Sequence, residues 1–489
     1  MLTVIIHTEQ ENNQMSEPGT IYLENCLAHC NIANSIACHF TGSLNLHLFS
    51  TSVSKVLSAT NKFRYELIPL DNGEGAWKEK GRNVPPVKLI RCNDINESLK
   101  DFSCNIFSLC REYGFYPVFF TVFAADENEK MDADELRNDD NKDNISVKGK
   151  FCIVQTLNHA YCDGRSCEFL LNQITEYYNA LLENDLTSME KILKRVSQTS
   201  TPSSDEIYSF GAKNSVIKLS RWQHIKNIFR LVGTKLNDDG EFSVSYPVIE
   251  AEWEKFRTEK HRPQMHFFDL NPIISHYAGN KNVNTNSIIT ALLVKAFRHV
   301  NAVTHNHPEK KKISFRMMSD ILSAKQRQQF IGNYCAYVPV VADGSLPLEN
   351  VASDILKQVD SFRNNKVDVS MYKFLEFALR KHMAGKKDDP VSFTVSLILH
   401  RKFIRHPNSL KGATFIKTTG TLNYEPLDLF GAKLNNKIAP TISLSSDNVL
   451  FVTYYPLIGG DEILNKVTDA LKTVIENEIS VVNKEKQKI

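Results

Sequence analysis

The stretch Leu157 to Cys167, LNHAYCDGRSC, decides how the rest of the chain is read. Just before it, Phe151 to Leu157 (FCIVQTL) is a short run rich in apolar and β-branched residues, which suits a buried strand. Just after it, Phe169, Leu170, Ile174, Tyr177, Tyr178, Leu181 and Leu182 recur at helical spacing. His159, Asp163 and Gly164 therefore fall on a tight strand-to-helix turn. Gly164 suits such a turn because glycine takes backbone angles closed to other residues.

A histidine fixed at a strand end can act as a base, since the ordinary imidazole pKa is about 6.5. It could take a proton from an attacking group and later return it to a leaving group. The plainer reading is that His159, one of 15 histidines, packs a turn. Cys162 lies close enough in sequence to suggest a Cys–His nucleophile, but a small buried cysteine is the commoner case. Cys26, His29, Cys30, Cys38 and His39 superficially suggest zinc. Their spacings match no closed structural site, and Cys38 and His39 fall in an expected strand, so no metal is expected. No glycine-rich phosphate loop of a standard type occurs.

Composition excludes other classes. The chain has 489 residues, 42% of them hydrophobic and 23% charged, which is a globular composition with room for a large core. A formal charge of +2 argues against a dedicated nucleic-acid binder. The start, MLTVIIHTEQENN, makes a poor signal peptide, and the longest apolar stretch, Tyr116 to Ala125, is too short to span a bilayer. Ten scattered cysteines do not form a disulfide framework. The expectation is a monomer in a reducing cytoplasm, with no membrane or nucleic-acid partner.

Taken in order, Met1 to about Gly19 is a polar leader. Strands are expected at Ser35–Phe40, Phe63–Ile68, Val87–Arg91 and Pro117–Ala124. Helices are expected on the stripes Leu46, Phe49, Val53, Val56, Leu57 and Ile95, Leu99, Phe102, Ile106, Leu109, the second ending at Gly114. Asp126 to Asn144 is acidic and almost free of large apolar residues, a solvated insertion. Ser197 to Asp205 (SQTSTPSSD) is the best linker by composition. Between Glu206 and His261 only a helix around Trp222 to Leu231 can be assigned. A strand at Gln264–Leu270 opens the second half. A helix follows with Asn284, Thr285 and Asn286 competing as its cap. IGNYCAYVPV (Ile331 to Val340), a hairpin at Thr441–Leu444 and Val449–Tyr455, and a helix from Asp461 complete it. Two basic stretches, Leu379 to Lys387 and His400 to Lys411, are solvated faces or sites for phosphates or an acidic partner protein.

The H-x-x-x-D-G pattern of His159, Asp163 and Gly164 in this setting resembles the chloramphenicol-acetyltransferase-like superfamily. That superfamily includes condensation domains, alcohol acetyltransferases and polyketide-associated acyltransferases. The resemblance runs from about Ile21 to Asn477. It implies an α/β protein with mixed sheets, in which two similarly folded halves form a pseudo-dimer around a central tunnel. The corresponding boundaries are a first half at 20–196, a crossover at 197–262 and a second half at 263–489. It implies acyl transfer from coenzyme A or carrier-protein phosphopantetheine to a small-molecule alcohol or amine, with no permanently bound cofactor. A carrier protein would act in trans. His159 is then the base and Asp163 the orienter, paired with an arginine. Asn423, in TGTLNYEPLDLFGA, either supports the tunnel loop, polarises the donor carbonyl or simply closes a turn. Two departures matter. Asn158 stands where many condensation domains have a first histidine, and Asp428 to Ala432 (DLFGA) replaces the D-F-G-W-G of plant acyltransferases. A free-standing condensation enzyme, a non-catalytic binding member and a thioester hydrolase remain as alternatives.

Overall fold

The run FCIVQTL lies in the strand Ser146–Asn158, the middle of a five-stranded sheet. The computed structural model describes residues 18–19, 21–29, 33–69, 75–79, 87–112, 117–125, 146–209, 215–233, 242, 244–245, 247–248, 251, 265–381, 391–399, 410–423, 437–438, 441–446, 449–453 and 461–487. The acidic insertion, the DLFGA loop and most of both basic stretches lie outside them.

Along the motif strand the side chains alternate between two cores. Phe151 and Ile153 join the core formed with the helices Leu46–Ala59 and Gly164–Glu183. Cys152 and Val154 face the core under the helix Ile95–Glu112. Cover on both faces explains why the run reads as almost continuously apolar. Each large apolar side chain fully buried this way contributes roughly 1.5–3 kcal/mol.

The strand order across this sheet is Ala413–Asn423, Ala33–Asn45, Ser146–Asn158, Val118–Ala125 and Lys88–Cys92, with only the last pair parallel. The edge strand Ala413–Asn423 arrives from the far end of the sequence, so the second half of the chain completes the sheet of the first. A six-stranded mixed sheet forms the other half, in the order Cys335–Asp343, Lys312–Asp320, Phe393–Leu399, Thr441–Ser446, Val449–Thr453 and Met265–Asp269. Its core surrounds the helix Thr285–Val303, where the rings of Phe297, Phe393 and Phe315 stack in series at 4.4 and 4.8 Å. Asn284 prevails among the three candidate caps, because its side chain and that of Ser287 bond each other's backbone N–H.

Two segments differ from expectation. The strand expected from Phe63 begins only at Tyr65, because Asn61–Arg64 form a 3₁₀ turn whose Lys62 side chain is buried rather than solvated. The Ser/Thr-rich segment after Ser197 is not a free tether. Ser200 exchanges backbone bonds with Gln329 and Ile331, Thr201 Oγ1 donates to the Ile331 carbonyl at 2.7 Å, and Ser203 and Glu206 form a capping box. Hydroxyl side chains that look like linker composition can equally bind neighbouring backbone.

Candidate active site

The turn after the motif strand is set by Asp163. Its backbone is extended (φ −84°, ψ 175°) and its Oδ1 accepts from the Ser166 N–H at 3.0 Å, capping the helix Gly164–Glu183. Gly164 is simply the first helical residue and does not adopt a positive φ, so the reversal rests on Asp163 and not on glycine's special freedom. The other half of the chain closes around the same carboxylate. Arg327 donates to Oδ1 at 3.1 Å and to Oδ2 at 2.8 Å, and the Tyr334 N–H donates to Oδ2 at 3.1 Å. Arg327 is held in turn by Asp320, at 2.7 Å from both Nε and Nη2. Burial alone would raise the Asp163 pKa, but the Arg327 charge and these N–H donors outweigh it and hold the carboxyl below its ordinary range.

Gly332 locks the contact. Its carbonyl accepts from the Asp163 N–H at 3.3 Å, and its own N–H donates to Ser166 Oγ at 3.3 Å. A Cβ at this position would lie 3.0 Å from the Tyr334 ring, so even alanine would press on the seam.

His159 is half-buried at the end of the motif strand. Its Nδ1 is buried with no hydrogen-bond partner among the described residues. Burial lowers the imidazole pKa. Its own backbone carbonyl, the Asp163 charge and the Asn333 amide act in the opposite direction without overcoming that. The ring is therefore neutral near pH 7, the form a general base needs. Asn158, in the place of the missing first histidine, accepts the Ala160 N–H on its Oδ1 at 3.0 Å and so shapes the turn.

Asn333, from the second half, donates through Nδ2 to the His159 carbonyl at 2.9 Å. Behind it is an element that pattern reading missed. Glu24, on the helix Tyr22–His29, accepts from the Asn333 N–H at 3.1 Å, from Asn333 Nδ2 at 3.2 Å and from Lys62 Nζ at 2.6 Å, all on Oε1. Lys62 also lies 5.1 Å from the centre of the Trp77 ring, an arrangement that favours a desolvated cation. Burial raises the Glu24 pKa despite the Lys62 charge and the Asn333 bonds.

Asn423 is the last residue of the edge strand Ala413–Asn423. Ala33 pairs with Asn423 on one side and Asn158 on the other, so Asn423 ends at the same edge as His159, two strands away, or roughly 10 Å. Cys162 and Cys167 are fully buried, and burial pushes the Cys167 thiol well above its usual range, so neither meets the accessible setting a nucleophile needs. Among the described residues no group of three or more His, Cys, Asp or Glu side chains could hold a metal. No helix there is long and apolar enough to cross a membrane. From the second basic stretch, Leu410 is fully buried and Lys411 pairs with Glu183.

In sequence, no protein-family model and no curated protein matches the chain. In structure, it resembles the trichothecene 15-O-acetyltransferase TRI3 of Fusarium sporotrichioides with a TM-score of 0.61 at 10% identity, covering 94% of this chain and 95% of that one. The condensation domain of the monacolin K polyketide synthase MokA gives 0.58 at 11% identity, over 95% and 97%. The chain has the chloramphenicol-acetyltransferase-like fold. The X-domain solved in complex with OxyB from teicoplanin biosynthesis shares it, with a TM-score of 0.54 at 10% identity, over 96% and 94%. One chloramphenicol-acetyltransferase-like architecture thus carries an acetyltransferase, a condensation domain and a domain that complexes another protein. Fold likeness of this kind does not fix a function, which depends on the side chains of the site.

Proposed function

We propose that the protein is an acyltransferase in which His159 is the general base. The acyl group passes directly from a thioester, on coenzyme A or a carrier-protein phosphopantetheine, to an alcohol or amine. The observation that carries the reading is the neutral-leaning imidazole of His159 on a turn clamped from both halves by Asp163 and Arg327. With Nδ1 buried, we assign Nε2 to the acceptor. It takes the acceptor proton as the new bond to the thioester carbonyl forms, and the tetrahedral oxyanion collapses by breaking the carbon–sulfur bond. The imidazolium then returns the proton to the thiolate, leaving ester or amide plus free thiol. Asn423 remains our candidate for the loop beside the donor carbonyl.

The test is a panel of acyl-coenzyme A and acyl-carrier donors with a source-cell extract as acceptor pool, read by mass spectrometry of acylated products. His159→Ala should keep its circular dichroism spectrum and lose about 10²–10⁴-fold in turnover. Donor alone should leave the intact protein mass unchanged, and initial-rate lines should intersect when both substrates vary. Full turnover in folded His159→Ala, or an acyl adduct on Cys162 that is consumed by acceptor, would remove this mechanism.

A further inference from the structure

The side chains of Lys62 and Glu24 form an ion pair in which each is only 1% exposed. Isolated buried pairs of this kind are often no more stabilising than apolar residues of similar volume, so stability alone is a weak account of this one. Its geometry offers another account. The Glu24 oxygen that receives Lys62 also receives both amides of Asn333, and Asn333 Nδ2 in turn holds the His159 carbonyl. The three members come from separate places: the helix Tyr22–His29, the turn Asn61–Arg64 and the segment just before the strand Cys335–Asp343. Three buried atoms along this line, Glu24 Oε2, Asn333 Oδ1 and His159 Nδ1, have no partner among the described residues.

We propose that Lys62, Glu24 and Asn333 form a positioning relay for His159. The ion pair fixes the Asn333 amide, and the amide fixes the backbone carbonyl, and with it the ring, of the base. The inference rests on acyl transfer at His159. The His159 carbonyl and imidazole share one Cα, so releasing the carbonyl lets the ring drift from the acceptor, and a misplacement of about 1 Å can cost on the order of 10²-fold in rate. Tyr372 supports the arrangement from below, its hydroxyl donating to the Asn333 carbonyl at 3.2 Å.

The test uses three variants of the full chain, with acetyl- to palmitoyl-coenzyme A as donors and released thiol as the readout. Asn333→Ala should lose roughly 10- to 100-fold in kcat with KM within about twofold. The acid-side inflection of kcat/KM should also move to lower pH, because the amide that favours the imidazolium is gone. Glu24→Gln keeps an oxygen acceptor and should stay within about threefold of the parent. The double variant Glu24→Leu/Lys62→Met removes both charges together. It should fold with a somewhat lowered midpoint, because the Asn333 N–H loses its acceptor, and still lose kcat as Asn333→Ala does. A folded double variant with parental kcat and pH profile would overturn the relay. If the double variant does not fold, Asn333→Ala decides by the same readouts, since it leaves the ion pair in place. His159→Ala separates the two ideas. Full activity there sinks the base itself, whereas an inactive His159→Ala beside fully active relay variants sinks only the relay.

Discussion

Asp163 and Glu24 are both buried carboxylates, both paired with a buried cation and both touched by the Gly332–Tyr334 segment, yet their pKa values are pushed in opposite directions. Asp163 has hydrogen bonds on both oxygens, from Arg327, Ser166 and Tyr334, and its pKa falls. Glu24 concentrates its partners on Oε1, leaves Oε2 without one among the described residues, and its pKa rises. A nearby cation does not by itself set the direction in which a buried acid's pKa moves. The number of donors aimed at each oxygen does, because each donor replaces part of the hydration that burial removed.

The same chemical change at the two sites should break them apart, and the larger effect belongs to Asp163. Asp163→Asn keeps the shape but removes the charge opposite Arg327 and turns one acceptor oxygen into a donor facing other donors. Breaking a buried pair in this way costs about 3–5 kcal/mol. We expect a clear fall in the urea midpoint at pH 7, with activity lost in proportion. The folded-state pKa of Asp163 lies below its ordinary value, so its stabilisation is complete above pH 3.8 and fades as pH falls through the folded value. The gap between parent and variant should therefore close in strong acid. Loss of activity at unaltered stability would instead make Asp163 a participant in the chemistry.

Glu24→Gln should behave in the opposite sense. A carboxyl whose folded pKa is raised above 4.5 stabilises the fold most below that pH and loses the contribution as pH rises through the folded value. The stability difference between the two should therefore move in the glutamine variant's favour as pH rises above 4.5. Unfolding free energies at a series of pH values measure this directly. A glutamine variant that loses ground as pH rises would mean that Lys62 holds Glu24 as firmly as Arg327 holds Asp163, and the contrast would disappear.

Of these two acids the sequence disclosed only one. Asp163 was legible because its neighbours carry local signals, a β-branched run before it and a helical stripe after it. The expectation that it pairs with an arginine came from family resemblance. Arg327, 164 positions away, was one of 58 basic residues with nothing in its own surroundings to mark it. Glu24 and Lys62 were invisible for a related reason. A charge in a short helix or turn looks solvated until distant segments such as Asn333 close over it. The edge strand Ala413–Asn423 was equally hidden, since its pairing with Ala33–Asn45 depends on registers set across nearly the whole chain. Cys162 could be weighed by general frequency, but its burial needed the packed core.

The smallest effect is also the most discriminating, because His159 reports on both acids without touching the stability of either. Burial sets its pKa below the ordinary 6.5, so kcat/KM should rise with pH and level off with an inflection below that value. Asp163 acts on the ring as a negative charge that favours protonation. Removing it in Asp163→Asn should shift the inflection further down, in whatever fraction of the variant stays folded and active. Glu24 has no such direct influence and works through the Asn333 amide, which Glu24→Gln preserves. Its inflection should coincide with that of the parent. A pH–rate profile for parent and both variants thus separates a charge acting through space from one acting through a hydrogen-bonded amide. If Glu24→Gln moved the inflection as far as Asp163→Asn, the two carboxylates would be one electrostatic cluster, and the division between an orienting acid and a relaying acid would have to be abandoned.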